Sequence, residues 1–383
     1  MTRTCPTNDP RERSALLRLL AAGGRLEPRR RLLEACGSAA TALDAGAATW
    51  RACGLAPEQA HALESGREDA RTLEWLEQPG HHLMGWNDPD YPALLRTAPR
   101  PPLALFVAGD PALLWHPAVA VVGSRSPTAG GRDNTAAFAR AFARSGLGVT
   151  SGLALGVDSA AHRAALEAGG ITVAVLGCGI DRPYPARNRA LWQEVARSGA
   201  VVSEYPPGTV ARAGQFPARN RIVAGLSLAT LVVEAATRSG ALITARLAAD
   251  AGRDVFAVPG SIHNPMARGC HRLIRSGAGL VESAGEVIDA LAPVAAHLGT
   301  ALRSRLGAPI ETLHPASGTS PGIVQLEDPD YQKLWEALGH DPTDMDSLAE
   351  RTGLTAARLS SMLPAMELEG RVVAEHGRYS RKS

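Results

Sequence analysis

The sequence predicts an α/β protein: a doubly wound, mostly parallel sheet, with a small helical N-terminal domain and a C-terminal winged-helix domain. Three observations carry this expectation. Between residues 119 and 292, six short apolar runs alternate with helical patterns. Strands that are apolar throughout and separated by helices imply a parallel sheet covered on both faces. Before residue 79 the apolar positions recur at helical spacing. After residue 326 a compact helix–turn–helix pattern resumes and ends in a strand pair.

Residues 1–78 read as short helices. Leu16, Leu19 and Leu20 fall on one helical face, Leu32 and Leu33 follow, and a polar helix is expected around 58–76. The expectation is a SAM-like or helix-hairpin-helix-like domain. Such pieces contact nucleic acid or protein, or serve as a structural appendage, and the sequence leaves these readings open. Residues 79–118 are rich in Pro, Trp and Gly and read as a connector leading into the sheet through a short strand at 103–107. In the segment 119–292 the strands fall at 119–122, 148–150, 172–176, 200–203, 229–233 and 255–258. Helices are expected between them, among others at 134–145, 159–168 and 241–251. Residues 293–326 are small, polar and rich in Pro and Gly, which marks a linker. Residues 327–383 carry helical stretches near 331–338, 346–351 and 355–369, a turn at Gly353, and strands at 371–374 and around Tyr379 that would form a small wing.

With 383 residues the chain has room for two or three domains. An apolar share of 45% and a charged share of 20% exclude a disordered chain. No apolar run approaches the roughly 20 residues of a membrane helix, so no membrane association is expected. The first residues contain no apolar h-region, so no secretory signal is expected. Five dispersed cysteines without a CxxC pair argue against zinc or disulfides and suit a reducing cytoplasm.

The net charge of +2 conceals a division. Of 40 basic residues only Lys333 and Lys382 are lysine. Residues 119–292 hold 18 arginines against 12 acidic residues, a net +6, and the rest of the chain is net −4. A cationic α/β domain suits a polyanionic partner. Residues 327–383 hold 11 acidic and 7 basic residues. That balance favours protein contact over docking in a DNA groove.

In an open parallel sheet the ligand lies beyond the carboxyl ends of the strands, so the loops there carry the chemistry. The first is Gly123-Ser-Arg-Ser-Pro-Thr-Ala-Gly-Gly131, small residues leading into a helix. Its backbone amides and the helix dipole suit an anion, though a structural turn remains the alternative. It is neither G-x-G-x-x-G nor a Walker loop. The second is Ser151-Gly-Leu-Ala-Leu-Gly-Val-Asp-Ser-Ala-Ala-His162. Asp158 and His162 stand at i,i+4, either as an acid/base pair or, the favoured reading, as polar bracing. Later loops hold Phe216-Pro-Ala-Arg-Asn-Arg221, with Arg219 and Arg221, and Glu234-Ala-Ala-Thr-Arg-Ser-Gly240, a second small-residue turn into a helix.

These stretches, with Val175-Leu-Gly-Cys-Gly179, Ser203-Glu-Tyr-Pro-Pro-Gly208 and Val258-Pro-Gly-Ser261, span the α/β segment in order. On them the chain resembles the DNA-processing protein A family, DprA or Smf. The resemblance implies a Rossmann-like domain that binds single-stranded DNA in a basic pocket, forms homodimers, and helps load the RecA recombinase onto incoming strands during natural transformation, without catalysis. It further implies that Arg125 contacts backbone phosphate and that Gly123 and Ser124 offer loop donors. Arg219, Asn220 and Arg221 would line the same pocket, and Ser239 and Gly240 would act as helix-terminus donors. No catalytic residue, cofactor or metal is expected. Family members often place lysine in the pocket, and residues 119–292 contain none. Few aromatics lie in the domain, so base stacking should be sparse and binding salt-dependent. The competing readings are a phosphoribohydrolase-like nucleotide enzyme and a transcription regulator acting through the C-terminal helix–turn–helix.

Overall fold

The computed structural model describes residues 9–66, 69–306 and, with gaps, 329–381. The chain divides into two compact units, one within 1–311 and the other within 312–383.

The first unit opens with six helices: Pro10–Ala21, Leu26–Cys36, Ala39–Asp44, Gly46–Ala52, Pro57–Ser65 and Ala70–Leu76. Local chemistry sets their ends. Asp9, Ser38 and Asp69 cap three of them by accepting backbone amides. Buried Glu12 accepts from the Ala39 and Ala40 amides at 2.7 and 2.9 Å, joining the first helix to the third. The helix expected around 58–76 is two helices, because Gly66 takes φ +63° and ends the first of them. Leu16, Leu19, Leu33 and Leu63 are fully buried and share one core with Phe106, Leu176 and Val201 of the sheet. Each such leucine contributes about 1.5–3 kcal/mol. The helical module is thus built onto the sheet.

The sheet has nine strands among the described residues: β1 (His81–Gly85), β2 (Ala104–Gly109), β3 (Ala118–Val122), β4 (Gly148–Ser151), β5 (Thr172–Leu176), β6 (Ala200–Ser203), β7 (Ala229–Val232), β8 (Asp254–Ala257) and β9 (Gly279–Leu280). Their order is β1-β2-β6-β5-β4-β3-β7-β8-β9. From β6 to β9 all pairings are parallel, and β1–β2 and β2–β6 are antiparallel. The six apolar runs form β3 to β8, and β3 to β7 are buried along their whole length. The stretch expected to be a connector with one strand supplies two, β1 and β2. Its Pro- and Trp-rich segment only joins them, folding into the short helix Ala93–Thr97. Helix Ala284–Leu306 runs through the start of the stretch expected to be a linker. Its alanine-rich sequence carries the helix past Pro293, which removes one hydrogen bond. Residues 307–328 lie outside the described residues.

The second unit packs Leu334, Leu338, Leu348, Leu359, Met362 and Val372 into its own core. Helices Pro329–Ala337 and Met345–Thr352 are present, with Gly353 at φ +69° after the latter. Three short antiparallel strands, β10 (Thr343–Asp344), β11 (Val372–Glu375) and β12 (Arg378–Arg381), pair in the order β10-β12-β11. The wing therefore gains a strand that the sequence pattern did not show. The third helix expected, near 355–369, falls mostly outside the described residues.

Candidate nucleic-acid-binding cleft

β3 stands between β4 and β7. The chain winds one way from β3 through β6 and returns to the other side of β3 for β7 onward. Loops leaving β3 and β7 therefore diverge, and a crevice opens beyond their carboxyl ends. A cleft of about 850 Å³ occupies this switch point. Its walls are the loop after β3, the helix Gln215–Gly225, and the start of helix Gly240–Asp250.

Gly123, Ser124 and Arg125 form the first wall. A side chain at Gly123 would meet Val157 at 2.7 Å and the Glu234 carbonyl at 2.9 Å, so only glycine allows the two loops to approach. The Ser124 amide donates to the Glu234 carbonyl at 2.6 Å, and its hydroxyl accepts from the Ser126 amide at 3.1 Å. Ser124 thus shapes the loop. Arg125 is exposed, and among the described residues its side chain makes no hydrogen bond or ion pair.

Ser239 and Gly240 form the opposite wall. The Ser239 hydroxyl caps the helix by accepting from the Ala241 amide at 3.3 Å, and Gly240 is its first residue. The dipole of this helix points at the cleft. Beside them Arg238 lines the cleft, exposed and likewise without an ion pair among the described residues. Sequence reasoning did not single it out, although it sits inside the second small-residue turn.

Arg219 lines the cleft at its base, as expected, with only 5% of it exposed. It donates to the Gly152 carbonyl at 2.5 Å and to the Val175 carbonyl. Burial lowers its pKa, against the opposing pull of the Asp158 carboxylate. Asn220 lines the cleft and reaches the Gly240 carbonyl at 3.5 Å. Arg221 is not brought into the cleft. It makes a two-pronged pair with Glu204 at 2.8 and 2.7 Å and donates to the Arg100 carbonyl at 2.9 Å. Both arginines belong to one helix, and residues two apart on a helix point in nearly opposite directions.

The carboxylates that could run acid or base chemistry nearby already hold backbone amides, and the nearby histidine and cysteine are held neutral by burial. Asp158 accepts from the Gly152 and Ala154 amides at 3.1 and 3.3 Å. His162 is hydrogen-bonded to Thr172 at 2.7 Å, and burial drives its pKa down to about 3. Among the described residues no hydrogen bond joins the two: Asp158 braces the loop before its helix and His162 braces the helix against Thr172 of β5. Glu234 accepts from the Thr128 amide at 2.9 Å and hydroxyl at 2.6 Å, tying the loop after β7 to the helix Ala129–Arg144. Burial pushes the Cys178 thiol up to about 11, so it stays protonated at neutral pH. At the far end Tyr184 and Phe216 meet with ring centroids 5.2 Å apart. Tyr184 is 52% exposed, so the cleft offers more aromatic surface than the sparse aromatic composition suggests.

The family model "DNA recombination-mediator protein A" matches residues 82–292, and the model "DprA winged helix domain" matches residues 315–378. Protein Smf of Escherichia coli is 39% identical over 311 residues, covering 81% of this chain and 80% of that protein. DNA processing protein DprA of Streptococcus pneumoniae is 46% identical over 187 residues, covering 49% of this chain and 66% of that protein. The X-ray structure of the latter superposes with a TM-score of 0.62 at 35% identity, over 71% of this chain and 95% of that one. DNA processing protein A of Helicobacter pylori, whose structure concerns its single-stranded DNA binding mode, superposes with a TM-score of 0.50 at 33% identity, over 53% of this chain and 93% of that one. With family models matching both the sheet segment and the C-terminal module, and a relative 39% identical over most of both chains, the chain belongs to the DNA recombination-mediator protein A family, DprA or Smf.

Proposed function

We propose that this protein binds single-stranded DNA in the switch-point cleft and acts as a recombination mediator. In this reading it protects incoming strands and loads the RecA recombinase during natural transformation, as a cytoplasmic homodimer. It works by binding, without a catalytic residue, cofactor or metal. The observation that carries the reading is the pair of arginines, Arg125 and Arg238, that have no partner among the described residues and face one cleft beside a helix N-terminus. A guanidinium with no internal partner is free for a phosphate oxygen, and arginine's planar fork suits it. The helix start and the Asn220 amide add neutral donors, and Tyr184 with Phe216 offers a face for a base. Support for binding over hydrolysis comes from Asp158 and Glu234, whose carboxylates already hold backbone amides. The family's description as a recombination mediator supports the recombinase partner. We assign the acidic C-terminal winged helix to protein contact.

The test is binding of a labelled single-stranded oligonucleotide against duplex and mononucleotide across a salt series. Single strands should win clearly, with affinity falling steeply as salt rises. Arg125→Ala should largely abolish binding while leaving the unfolding midpoint in place. Equal binding to duplex, or a variant that binds like the parent, defeats the reading. Hydrolysis of a nucleoside monophosphate would promote the enzyme alternative.

A further inference from the structure

The cleft is asymmetric. Its inner end carries Arg125, Arg238 and the helix N-terminus, which suit phosphate. Its outer end is built by the loops after β5 and β6, and it is lined by Tyr184, Ala211, Ala213 and Phe216, with no arginine in the lining there. Arg212 stands between two of these lining residues yet outside the lining. It is exposed, and its side chain makes no hydrogen bond or ion pair among the described residues. Arg187, three residues after Tyr184, is in the same condition.

This outer wall is built in advance. The Gly179 amide donates to the Thr209 carbonyl at 2.9 Å, joining the two loops. Asp181 accepts from the Gly208 amide at 2.8 Å and pairs with Arg71 of the helical module at 3.3 Å. The Arg212 amide donates to the Gln215 side chain at 2.6 Å, which holds the segment just ahead of Phe216. The alanines at 211 and 213 keep the wall low, so a chain lying in the cleft can cross it.

We propose that the outer wall is a second contact surface for the same single strand. A base rests on Tyr184 against Phe216, and the backbone leaves the cleft over Ala211 and Ala213 with its phosphates on Arg212 and Arg187. This rests on the single-strand reading and extends it. The chemistry alternates as a nucleotide chain does: cations at the inner end, aromatic faces at the outer end, and exposed arginines beside those faces in the chain. An acidic protein segment could use the arginines, but it would not need a flat aromatic face such as the exposed Tyr184 beside Phe216.

The experiment uses the full chain and two oligothymidylates, one of about 4 nucleotides, which fits the inner cleft, and one of about 15, which crosses the wall. The double variant Arg187→Ala/Arg212→Ala should bind the short strand as the parent does. For the long strand it should bind about tenfold more weakly, with the salt slope reduced by about 0.7 for each phosphate no longer neutralised. Tyr184→Ala should weaken the long strand by about tenfold and remove the quenching of a 2-aminopurine placed in it, and Tyr184→Phe should restore both. Unchanged long-strand binding in the arginine double variant, or equal losses for both lengths, overturns the proposal. The single-strand reading survives either result as long as Arg125→Ala still abolishes binding. If the parent protein binds neither strand, both ideas fall. An unchanged long-strand affinity together with weakened binding of an acidic peptide assigns the wall to a protein instead.

Discussion

Arg219 and Arg221 sit two residues apart on one helix, and Arg125 and Arg238 sit on separate loops more than a hundred residues apart in the chain. The distant pair shares a surface and the near pair does not. Arg219, nearly buried at the base of the cleft, commits its Nη1 to two backbone carbonyls, and Arg221 is locked to Glu204 on the other side of the helix. Arg125 and Arg238 have no internal partner among the described residues and face the cleft. A basic residue type near a phosphate site is therefore weak information. What separates a binding arginine from a structural one is whether the fold has already used its donors.

Removing the buried member should do the most damage. Arg219→Ala leaves two carbonyls and the Asp158 carboxylate without their cation at the nearly buried base of the cleft. Loss of one partner of a buried charge set costs about 3–5 kcal/mol. Chemical denaturation should show that loss, and weakened DNA binding should follow from it through the fraction unfolded. A stable Arg219→Ala protein that fails to bind DNA would move Arg219 into the binding group.

His162 gives the same contrast in neutral form, because the site that keeps Arg219 charged keeps this ring uncharged. Burial holds its pKa at about 3, against 6.5 for the free side chain, with Arg219 adding to the depression. The unfolded chain takes up the proton near 6.5 and the folded chain refuses it until about 3. Stability is therefore intact above about pH 6.5 and falls as pH drops from there toward 3, by up to about 1.4 kcal/mol per unit. At about pH 5 the loss amounts to about 2 kcal/mol. His162→Gln should flatten that dependence between pH 7 and 5 in urea midpoints. A slope that persists in the variant assigns the effect to another group.

The legibility of the molecule follows the same division. Strands β3 to β7 are buried on both faces, so their residues are small or apolar with a few hydroxyls, and the pattern was readable one segment at a time. β2, apolar and buried up to its last residue, was readable in the same way as the strand at 103–107, whereas β1 was harder, because antiparallel pairing at the sheet's edge relaxes that demand. His81 and His82 open a strand that reads as connector. The loops of the cleft were readable from small residues placed before helices. The direction of a side chain was not, because it depends on helix phase and on partners far along the chain. The two-residue spacing of Arg219 and Arg221 within one helix was the available signal that both could not face the cleft. Arg238 carried no such signal, since a turn has no fixed phase.

The mildest change falls on Arg238, and it tests the division most cleanly. Its side chain is exposed and unpaired among the described residues, so Arg238→Ala should leave the denaturation midpoint unchanged, within about 0.5 kcal/mol. Binding should change in a specific manner. If the guanidinium meets one phosphate, its removal lowers the salt slope by about 0.7 and weakens binding only modestly at low salt. Arg238→Lys keeps the charge and loses the planar fork, so it should restore the slope without fully restoring affinity. Arg221→Ala serves as the matched control: it should lose stability with its Glu204 pair and keep the parent slope. If Arg221 moves the slope and Arg238 does not, the strand lies on the other face of the helix Gln215–Gly225 and the cleft has been assigned to the wrong side.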